Sequence, residues 1–432
     1  MNMNRWVFIA VLFLVTCATS LQAGEQPEGR LQNGDYLAVV GDFWYAIYGR
    51  PELAPEPYCN YISDYLLMCK PAAGLSTTQF GWPQTSSYGY AFYGGLSNDV
   101  LRFHPTVATV WYGMAESGWA ALTPEREKGT RDGLTLMVQV MKKANVHLVA
   151  IGSPGYVDPT WRAADQVAVW NKAFETIRGI AKDVAGKEGA VFADVYGTMQ
   201  EATAKGKAKY GPQYSLSYDA VWRATRAGQL VMAYTFLKAL GCSGDIGTIT
   251  VDLAAGKAEA TDGHKLLSAA NGQIRIESSK YPFCFYGDAA KADSTRAVPE
   301  LVPFNEELNR FILVVRHIGA GKATVVWGKG SKEFTAAQLE KGINLAAEFS
   351  DNPFGEAFAK VEERIVEQQK VETVLSNVLM NRLAAYVHHI PAMKDLTDQL
   401  APAIAKKSKE ARDATAAAVK PVTHTINIHP VR

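Results

Sequence analysis

The stretch "LAVVGDFWYAIYG", residues 37–49, begins as an apolar strand, stops at a Gly-Asp pair and continues with Phe43, Trp44 and Tyr45. In proteins built on parallel sheets, ligands and catalytic groups gather at the carboxyl ends of the strands. A turn directly after such a strand is a common place to expose a nucleophilic serine. Here the position after Gly-Asp is Phe43, which has no nucleophilic atom. The sequence therefore predicts a site position whose usual chemistry is absent.

Three further apolar runs of strand length occur before residue 200: "TVATVWYG" (106–113), "VHLVAIGSP" (146–154) and "GAVFADVYG" (189–197). Two amphipathic segments, over 126–144 and 165–185, lie between them. Their predicted buried faces are Leu134, Met137, Val138 and Met141 in the first, and Val169, Phe174, Ile177 and Ile180 in the second. Continuous apolar strands that alternate with amphipathic helices predict a parallel sheet covered on both faces.

The pattern changes after a helix over 227–241. Residues 246–340 alternate apolar and polar side chains between Gly-rich turns, which predicts a small antiparallel β unit, with 309–334 forming two strands around a turn. From Asn352 the pattern is helical, and the tail "VTHTINIHPVR" (422–432) alternates like an edge strand. We expect an α/β domain over 30–245, a β-rich extension over 246–345 and a helical C-terminal region over 346–432.

Residues 1–23 have the layout of a secretory signal: Arg5, then a short apolar run, then small and polar residues. We expect cleavage after Ala23 and a secreted or periplasmic protein. A lipoprotein attached through Cys17 is the disfavoured alternative, because Thr16 is a poor residue before a lipidated cysteine. No other segment is long and apolar enough to span a bilayer.

The mature chain carries equal numbers of acidic and basic residues, so its charge gives no reason to expect a nucleic acid or an anionic membrane as partner. Cys59 and Cys69 are close enough in sequence to close a short disulfide loop, and a pair between Cys242 and Cys284 is left open. The sequence contains no Cys-x-x-Cys pair and no His-Cys cluster. We therefore expect no metal and no cofactor.

Several blocks stand in the order found in the SGNH (GDSL-type) hydrolase superfamily. They are "VVGDF" (39–43), "FGWPQTSS" (80–87), "HPTVATVWYGMAESG" (104–118), "VWNKAF" (169–174), "FADVYGTM" (192–199) and "AGQLVMAYTFLKALG" (227–241). The chain resembles this superfamily over nearly its whole mature length, and is most similar to a secreted branch found in planctomycetes and verrucomicrobia. The resemblance implies a three-layer α/β/α, flavodoxin-like domain with a parallel sheet. It also implies hydrolysis of an ester, often an acetyl group on a carbohydrate or an acyl chain.

In that superfamily a serine attacks the carbonyl carbon, a histidine takes the serine proton, and Gly and Asn donors hold the oxyanion. In this chain the serine position is Phe43, the glycine is kept as Gly81, and the asparagine position is Ala115. The histidine position is Trp222 or, with a shift of one residue, Arg223. Loss of triad members leaves only about 10³–10⁴-fold acceleration over water. We expect that the family's ester hydrolysis has been lost.

The leading hypothesis is a secreted, catalytically degenerate protein that acts in binding or structure, with a carbohydrate or an acylated glycan as ligand. The residues expected to line the old cleft are Asp42, Phe43, Trp44, Gly81, Trp82, Gly113, Glu116, Asp219 and Trp222. Aromatic side chains at these loops either fill the pocket as core or stack on sugar rings. The sequence leaves both possibilities open, and it leaves the oligomeric state open.

The alternative is an active hydrolase with a relocated nucleophile or a metal. The serines near the early loops are Ser63, Ser86, Ser87 and Ser97, but a serine without a base is inert. Glu116 and Asp219 could bind a cation as a carboxylate pair, although such residues more often cap turns. His104 and His147 precede strands and so lie at the wrong end of the sheet. The remaining tail histidines, His388, His389, His424 and His429, are expected on the surface.

Overall fold

The computed structural model describes residues 30–42, 57–81, 85–92, 95–161, 163–217, 224–381, 383, 390 and 392–431. Its described strands form three sheets. The first sheet is parallel throughout, in the order β2-β1-β3-β4-β5. Its strands are β1 (Tyr36–Gly41), β2 (Ser76–Gly81), β3 (Val107–Trp111), β4 (Leu148–Gly152) and β5 (Val191–Ala193). Polar β2 is the one strand of this sheet that hydrophobic patterning did not reveal.

Helices cover both faces of the first sheet. They are α1 (Tyr58–Asp64), α2 (Ser87–Phe92), α3 (Met114–Ser117), α4 (Pro124–Lys143), α5 (Ala164–Lys187), α6 (Val195–Tyr210) and α7 (Arg226–Ala239). Single 3₁₀ or π turns occupy Tyr65–Cys69, Pro71–Ala73, Leu96–Val100, Leu101–Phe103 and Pro159–Trp161. Helices α1, α6 and α7 bury side chains on one face, and α2 and α4 on the other. The predicted three-layer α/β/α domain is confirmed.

The predicted helix faces are confirmed in α4 and partly wrong in α5. All four apolar residues predicted for α4 are buried. In α5, Val169 is exposed, whereas Val167 and Trp170 are buried. The reason is helical spacing: Val167 and Trp170 lie seven and four residues before the buried Phe174, on the stripe that meets the sheet.

Two sheets, rather than one unit, make up the β-rich region. The second sheet, in the order β13-β10-β6-β7, contains β6 (Asp245–Asp252), β7 (Lys257–Ala260), β10 (Arg310–Arg316) and β13 (Ile343–Asn344). The third, in the order β12-β11-β14-β9-β8, contains β8 (His264–Ala270), β9 (Gln273–Ser278), β11 (Lys322–Trp327), β12 (Gly330–Thr335) and β14 (Val422–Val431). All their pairs are antiparallel except β10–β6. Short helices α8 (Val298–Leu301), α9 (Phe304–Glu307), α10 (Ala336–Lys341) and α11 (Leu345–Glu348) and the 3₁₀ turn Thr295–Ala297 connect them.

Three predictions for this region are wrong. β10 and β11 do not pair around the Gly-rich turn; they belong to different sheets. β14 is not an edge strand, because it lies between β9 and β11. His424, predicted on the surface, is 4 % exposed, whereas His429 is exposed as predicted. Alternating burial looks the same in an edge strand and a central strand with one solvated face, so the pattern could not distinguish them.

A directional chain of hydrogen bonds ties the third sheet to the second. Trp327 Nε1–H donates to His424 Nδ1 at 3.1 Å, so the His424 proton lies on Nε2 and is donated to Ser278 Oγ at 2.9 Å. The Ser278 hydroxyl in turn donates to His264 Nδ1 at 2.8 Å, and His264 Nε2–H donates to the Ile246 carbonyl at 3.0 Å. Both histidines are therefore neutral, and every polar group in the chain has a partner.

The C-terminal region consists of α12 (Gly355–Glu372), a π segment over Thr373–Asn381 and α13 (Ala392–Ala416). Its helices pack along β2, the edge strand of the first sheet. The Gln368 amide donates to the Thr77 carbonyl at 2.9 Å, and the Gln79 N–H donates to the Glu372 carboxylate at 3.4 Å. Side chains one helical turn apart thus bond the outward-facing backbone groups of β2, where a further strand would otherwise pair.

Glu372 is 1 % exposed and also accepts from the Thr78 hydroxyl at 2.8 Å and from Gln368 at 2.9 Å. Burial raises its pKa to about 7, against the lowering effect of these hydrogen bonds and of Arg412. The carboxyl group is therefore held in the interior by its partners at the strand edge.

The four cysteines of the described chain are free, buried thiols, so neither the Cys59–Cys69 pair nor the Cys242–Cys284 pair that the sequence left open is formed. Residues 58–69 form a continuous helical stretch, in which two residues ten apart are separated by about 15 Å. A disulfide requires Cα atoms within about 7 Å. Burial raises the pKa of Cys242 to about 11 and that of Cys284 to about 12. Within the described residues, no helix combines the length and apolar character needed to cross a membrane.

The substitution Glu372→Ala removes the acceptor shared by Thr78, Gln79 and Gln368 and leaves buried donors unsatisfied. We expect it to lower the free energy of unfolding by about 2–3 kcal/mol. Glu367→Ala is the matched control, because Glu367 is an exposed residue of the same helix paired only with Arg364, and we expect less than about 1 kcal/mol. Urea denaturation at fixed pH measures both. Equal effects of the two substitutions would contradict the role of Glu372 at the strand edge.

Burial, with a smaller contribution from neighbouring His264, lowers the pKa of His424 to about 4. The unfolded chain, in which the pKa of histidine is about 6.5, then binds more protons than the folded chain. The stabilising contribution of neutral His424 is present above pH 6.5 and is lost as the pH falls toward 4. We expect a loss of up to about 3 kcal/mol across this window.

His424→Gln should remove the His424 contribution, so that lowering the pH from 7 to 4 destabilises this variant less than the unsubstituted protein, measured as the urea midpoint. His429→Gln, at an exposed position of the same strand, should leave the dependence unchanged. The comparison also cancels the opposite contribution of Glu372, whose raised pKa makes stability fall as the pH rises toward 7. An unchanged slope in His424→Gln would show that His424 does not couple folding to protons.

Candidate functional site

The carboxyl ends of the strands in the first sheet lie level with one another. The residues opposite each other in register across this edge are Gly81, Gly41, Trp111, Gly152 and Ala193. Three of these are glycines, so the indole of Trp111 is the only large side chain in the row. This is the edge at which parallel α/β proteins bind ligands.

The structure brings the described members of the predicted site to this edge. Asp42 follows β1, is buried, and donates its N–H to the Trp111 carbonyl at 3.0 Å. Gly81 ends β2, and Gly113 and Glu116 follow β3. The other predicted site positions, which are Phe43, Trp44, Trp82, Asp219, Trp222 and Arg223, lie outside the described residues.

Glu116 is a structural cap in this arrangement. Its Oε2 accepts the Gly113 N–H and its Oε1 accepts the Ser87 N–H, both at 2.7 Å. The carboxyl group therefore joins the start of α3 to the start of α2. Burial raises its pKa, and the bonds from Ser87 and Gly113 oppose that shift. Among the described residues, no group of three or more His, Cys, Asp and Glu side chains is placed to hold a metal ion.

Gly113 is required by the shape of this turn. Its φ of +127° lies in the region that favours glycine, and a Cβ there would approach Pro154 Cγ to 2.6 Å and Ile177 Cγ2 to 2.9 Å. Ala115, at the oxyanion asparagine position, presents only a methyl group to its surroundings. Gly81 donates its N–H to Gln79 Oε1 at 3.4 Å.

Aromatic side chains fill the space beneath the strand ends. Tyr58 stacks on Phe236 with centroids 5.4 Å apart and meets the edge of Trp111 at 5.9 Å. The Trp111 indole donates to the Ser153 carbonyl at 3.0 Å. The aromatic residues Phe80, Tyr90, Trp111 and Tyr112, which lie in or near the sequence blocks of the cleft, are all buried. For these residues the structure supports the core-filling possibility, whereas Tyr88 and Phe92 are exposed and stacked on each other at 5.2 Å.

The described residues place no histidine against the candidate serines of the relocated-nucleophile hypothesis. Ser63 is buried and bonds to the Cys59 carbonyl and the Thr77 hydroxyl, and Ser86 accepts from the Gly89 N–H. In the described part of the chain, none of the hydroxyls of Ser63, Ser86, Ser87 and Ser97 bonds to a histidine. His147 lies at the opposite edge of the sheet, as predicted. Its Nε2 atom is 2.8 Å from Asp35 Oδ1.

Sequence reasoning missed a cleft of about 720 Å³ away from the strand ends. Residues distant in sequence line it, among them Cys284, Arg296, Lys329, Asn352 and Glu362. The Arg296–Asp351 ion pair, at 2.6 Å, lies at its rim. No local motif marks these residues, because they meet only when the β-rich region packs on α12.

Comparisons with known proteins agree with this fold. The sequence matches no protein-family model and no curated protein. The structure is similar to that of a gut microbial diltiazem-metabolizing enzyme, with a TM-score of 0.68, 19% identity, and coverage of 93% of this chain and 98% of that one. The whole architecture, including the β-rich and C-terminal regions, is therefore shared with a solved protein.

Two further structures match about half of this chain. One is an acetylxylan esterase from Geobacillus stearothermophilus, with a TM-score of 0.39, 17% identity, and coverage of 49% of this chain and 97% of that one. The other is a GDSL-like lipase candidate from Parabacteroides merdae, with a TM-score of 0.41, 17% identity, and coverage of 50% and 99%. The likeness to the diltiazem-metabolizing enzyme concerns the fold alone.

The substitution Glu116→Gln tests whether this side chain is a cap or a metal ligand. The two carboxylate oxygens of Glu116 each accept one N–H group, whereas the amide of glutamine has only one oxygen acceptor. One N–H group therefore loses its partner, and we expect the free energy of unfolding to fall by about 1–3 kcal/mol. Glu175→Gln, at an exposed position of α5, should change it by less than about 0.5 kcal/mol. Thermal unfolding of each protein with and without Ca²⁺ or Mg²⁺ completes the test. Stabilisation of the unsubstituted protein by either ion, absent in Glu116→Gln, would identify a metal ligand instead.

Proposed function

We propose that this chain is an exported, catalytically inactive relative of the SGNH (GDSL-type) hydrolases that acts as a binding protein for carbohydrate or acylated glycan. The observation that carries the proposal is the composition of the strand-end site. Phe43 stands at the nucleophile position and Trp222 or Arg223 at the base position. The proposal includes the similarity to the secreted planctomycete and verrucomicrobial branch, and the domain limits at 245/246 and 345/346.

The contacts of Glu116 and Ala115 support loss of catalysis. The Glu116 oxygens are already occupied by the Gly113 and Ser87 N–H groups, so this carboxylate is not poised to orient a base. Ala115 offers no side-chain donor to an oxyanion. Loss of one such donor alone reduces the rate by about 10²–10³-fold, and loss of nucleophile and base removes the acyl-transfer pathway itself.

Residue types at the site favour a neutral, ring-shaped ligand. Trp44, Trp82 and Trp222 follow strand-end blocks in the sequence, and tryptophan faces pack well on the apolar faces of sugar rings. The equal numbers of acidic and basic residues in the mature chain give no basis for attracting a highly charged ligand. The signal-like segment over 1–23 would place the protein outside the cytoplasm, where glycans are encountered.

The first test is chemical. Purified mature protein is assayed for hydrolysis of 4-nitrophenyl acetate and acetylated xylan, and is treated with a fluorophosphonate probe followed by peptide mass spectrometry. We expect no turnover above buffer and no labelled serine, because none of Ser63, Ser86, Ser87 and Ser97 bonds to a histidine among the described residues. Ser278, which does bond to histidine, is fully buried and out of reach of a substrate. Labelling of one serine, with turnover abolished by its substitution with alanine, would contradict the proposal and locate a relocated active site.

The second measurement on the same protein is binding of acetylated and deacetylated xylooligosaccharides by calorimetry. We expect binding that Trp82→Ala weakens by about tenfold, since a stacked aromatic face contributes about 1–1.5 kcal/mol. Tyr210→Ala, at an exposed aromatic position near the end of α6, is the control and should bind normally. An absence of both turnover and glycan binding would leave a structural role in place of a binding role.

A further inference from the structure

A second cleft, of about 510 Å³, lies at the opposite edge of the first sheet, between α13 and the residues that begin β1 and β2. Its walls combine polar residues with the apolar side chains of Leu66, Leu67, Pro71, Leu75, Ala416 and Val419. The volume falls within the range of small-molecule sites, which combine apolar walls with a few polar groups. This cleft is separate from the strand-end site, because Tyr36, which lines it, is at the amino end of β1.

The residues that line the cleft carry one net positive charge. The charged residues there are Lys409, Arg412 and Asp413. Lys409 and Asp413 pair with each other at 2.7 Å, both with well-exposed side chains. Arg412 forms no ion pair with any carboxylate in the described part of the chain. The cleft therefore presents a single net cation against apolar walls.

The guanidinium of Arg412 is held in place by its neighbours, and one of its edges forms no hydrogen bond with the described residues. Its central carbon lies 3.9 Å from the centroid of the Tyr36 ring, which fixes the plane of the group. Nη1 donates to Thr78 Oγ1 at 3.2 Å and to Ser408 Oγ at 2.8 Å, so both of its hydrogens are engaged. The Nε–H and Nη2–H groups have no acceptor among the described residues. These two groups form the side-on fork that binds a carboxylate through two parallel hydrogen bonds.

We propose that this cleft binds an amphipathic carboxylate, with the acid on the Nε–Nη2 edge of Arg412 and an aliphatic or aromatic body against the leucine walls. The stacked, prealigned guanidinium reduces the ordering that binding requires. Thr78 connects the site to the interior, because it accepts from Arg412 and donates to buried Glu372. The inference does not depend on the proposed function of the strand-end site.

Octanoate is a suitable probe, and octan-1-ol is its uncharged counterpart with the same chain length. In calorimetric titration of the full mature chain, we expect octanoate to bind one site with a dissociation constant of about 1 mM or tighter. Octan-1-ol should bind at least about tenfold more weakly, because it cannot use both donors of the guanidinium edge. Equal binding of the two probes, or no octanoate binding up to about 10 mM, would overturn the proposal.

Substitutions at Arg412 test whether this residue binds the carboxylate. Arg412→Gln should weaken octanoate binding by about tenfold or more, and Arg412→Lys, which keeps the charge but lacks the fork, should weaken it to a smaller extent. Lys407→Gln removes a cation from the same helix outside the cleft, where Lys407 pairs with Glu410, and should bind as the unsubstituted chain does. Thermal unfolding confirms that each variant is folded. If Arg412→Gln does not fold, the affinity of Arg412→Lys for octanoate provides the test. The assignment of the site to Arg412 is refuted if a folded Arg412 variant binds octanoate as tightly as the unsubstituted chain does.

Discussion

The outer edge of β2 is the constraint on which the rest of the structure depends. A parallel sheet that ends in an open strand exposes unpaired N–H and C=O groups, which invite pairing with another chain. Here Gln368 and Glu372 bond to the Gln79 N–H and the Thr77 carbonyl, from positions about 290 residues later in the sequence. The strand tolerates a polar sequence because its partners are side chains rather than a further strand.

Because of this arrangement, the C-terminal helices are part of the packed structure and not a solvated extension of it. Glu372 is desolvated only because α12 and α13 press against β2, and its partners Thr78 and Gln368 then hold the carboxyl group in the interior. Arg412 follows from the same packing, since it reaches Thr78 from α13 and stacks on Tyr36 of β1. One buried polar network thus joins the edge of the sheet, the helical region and the second cleft.

The strand-end site depends on the turn that follows β3. Gly113 keeps the turn that positions the residues after β3, because a side chain there would collide with Pro154 and Ile177. Glu116 stabilises the turn by accepting two backbone N–H groups. These contacts maintain the turn after β3, next to which Ala115 presents only a methyl group.

The sequence by itself determined the parallel sheet, the α4 face and the level edge at which Asp42, Gly81 and Glu116 meet. Apolar runs and helical spacing are local signals, and parallel strands must end on one side. Only the tertiary structure decided that β14 is central, that β10 and β11 belong to different sheets, and that His424, Glu372 and Arg412 are drawn into polar networks. Strand partners and buried polar contacts join residues far apart in the chain. They depend on which surfaces pack together, which a local pattern of residue types does not record.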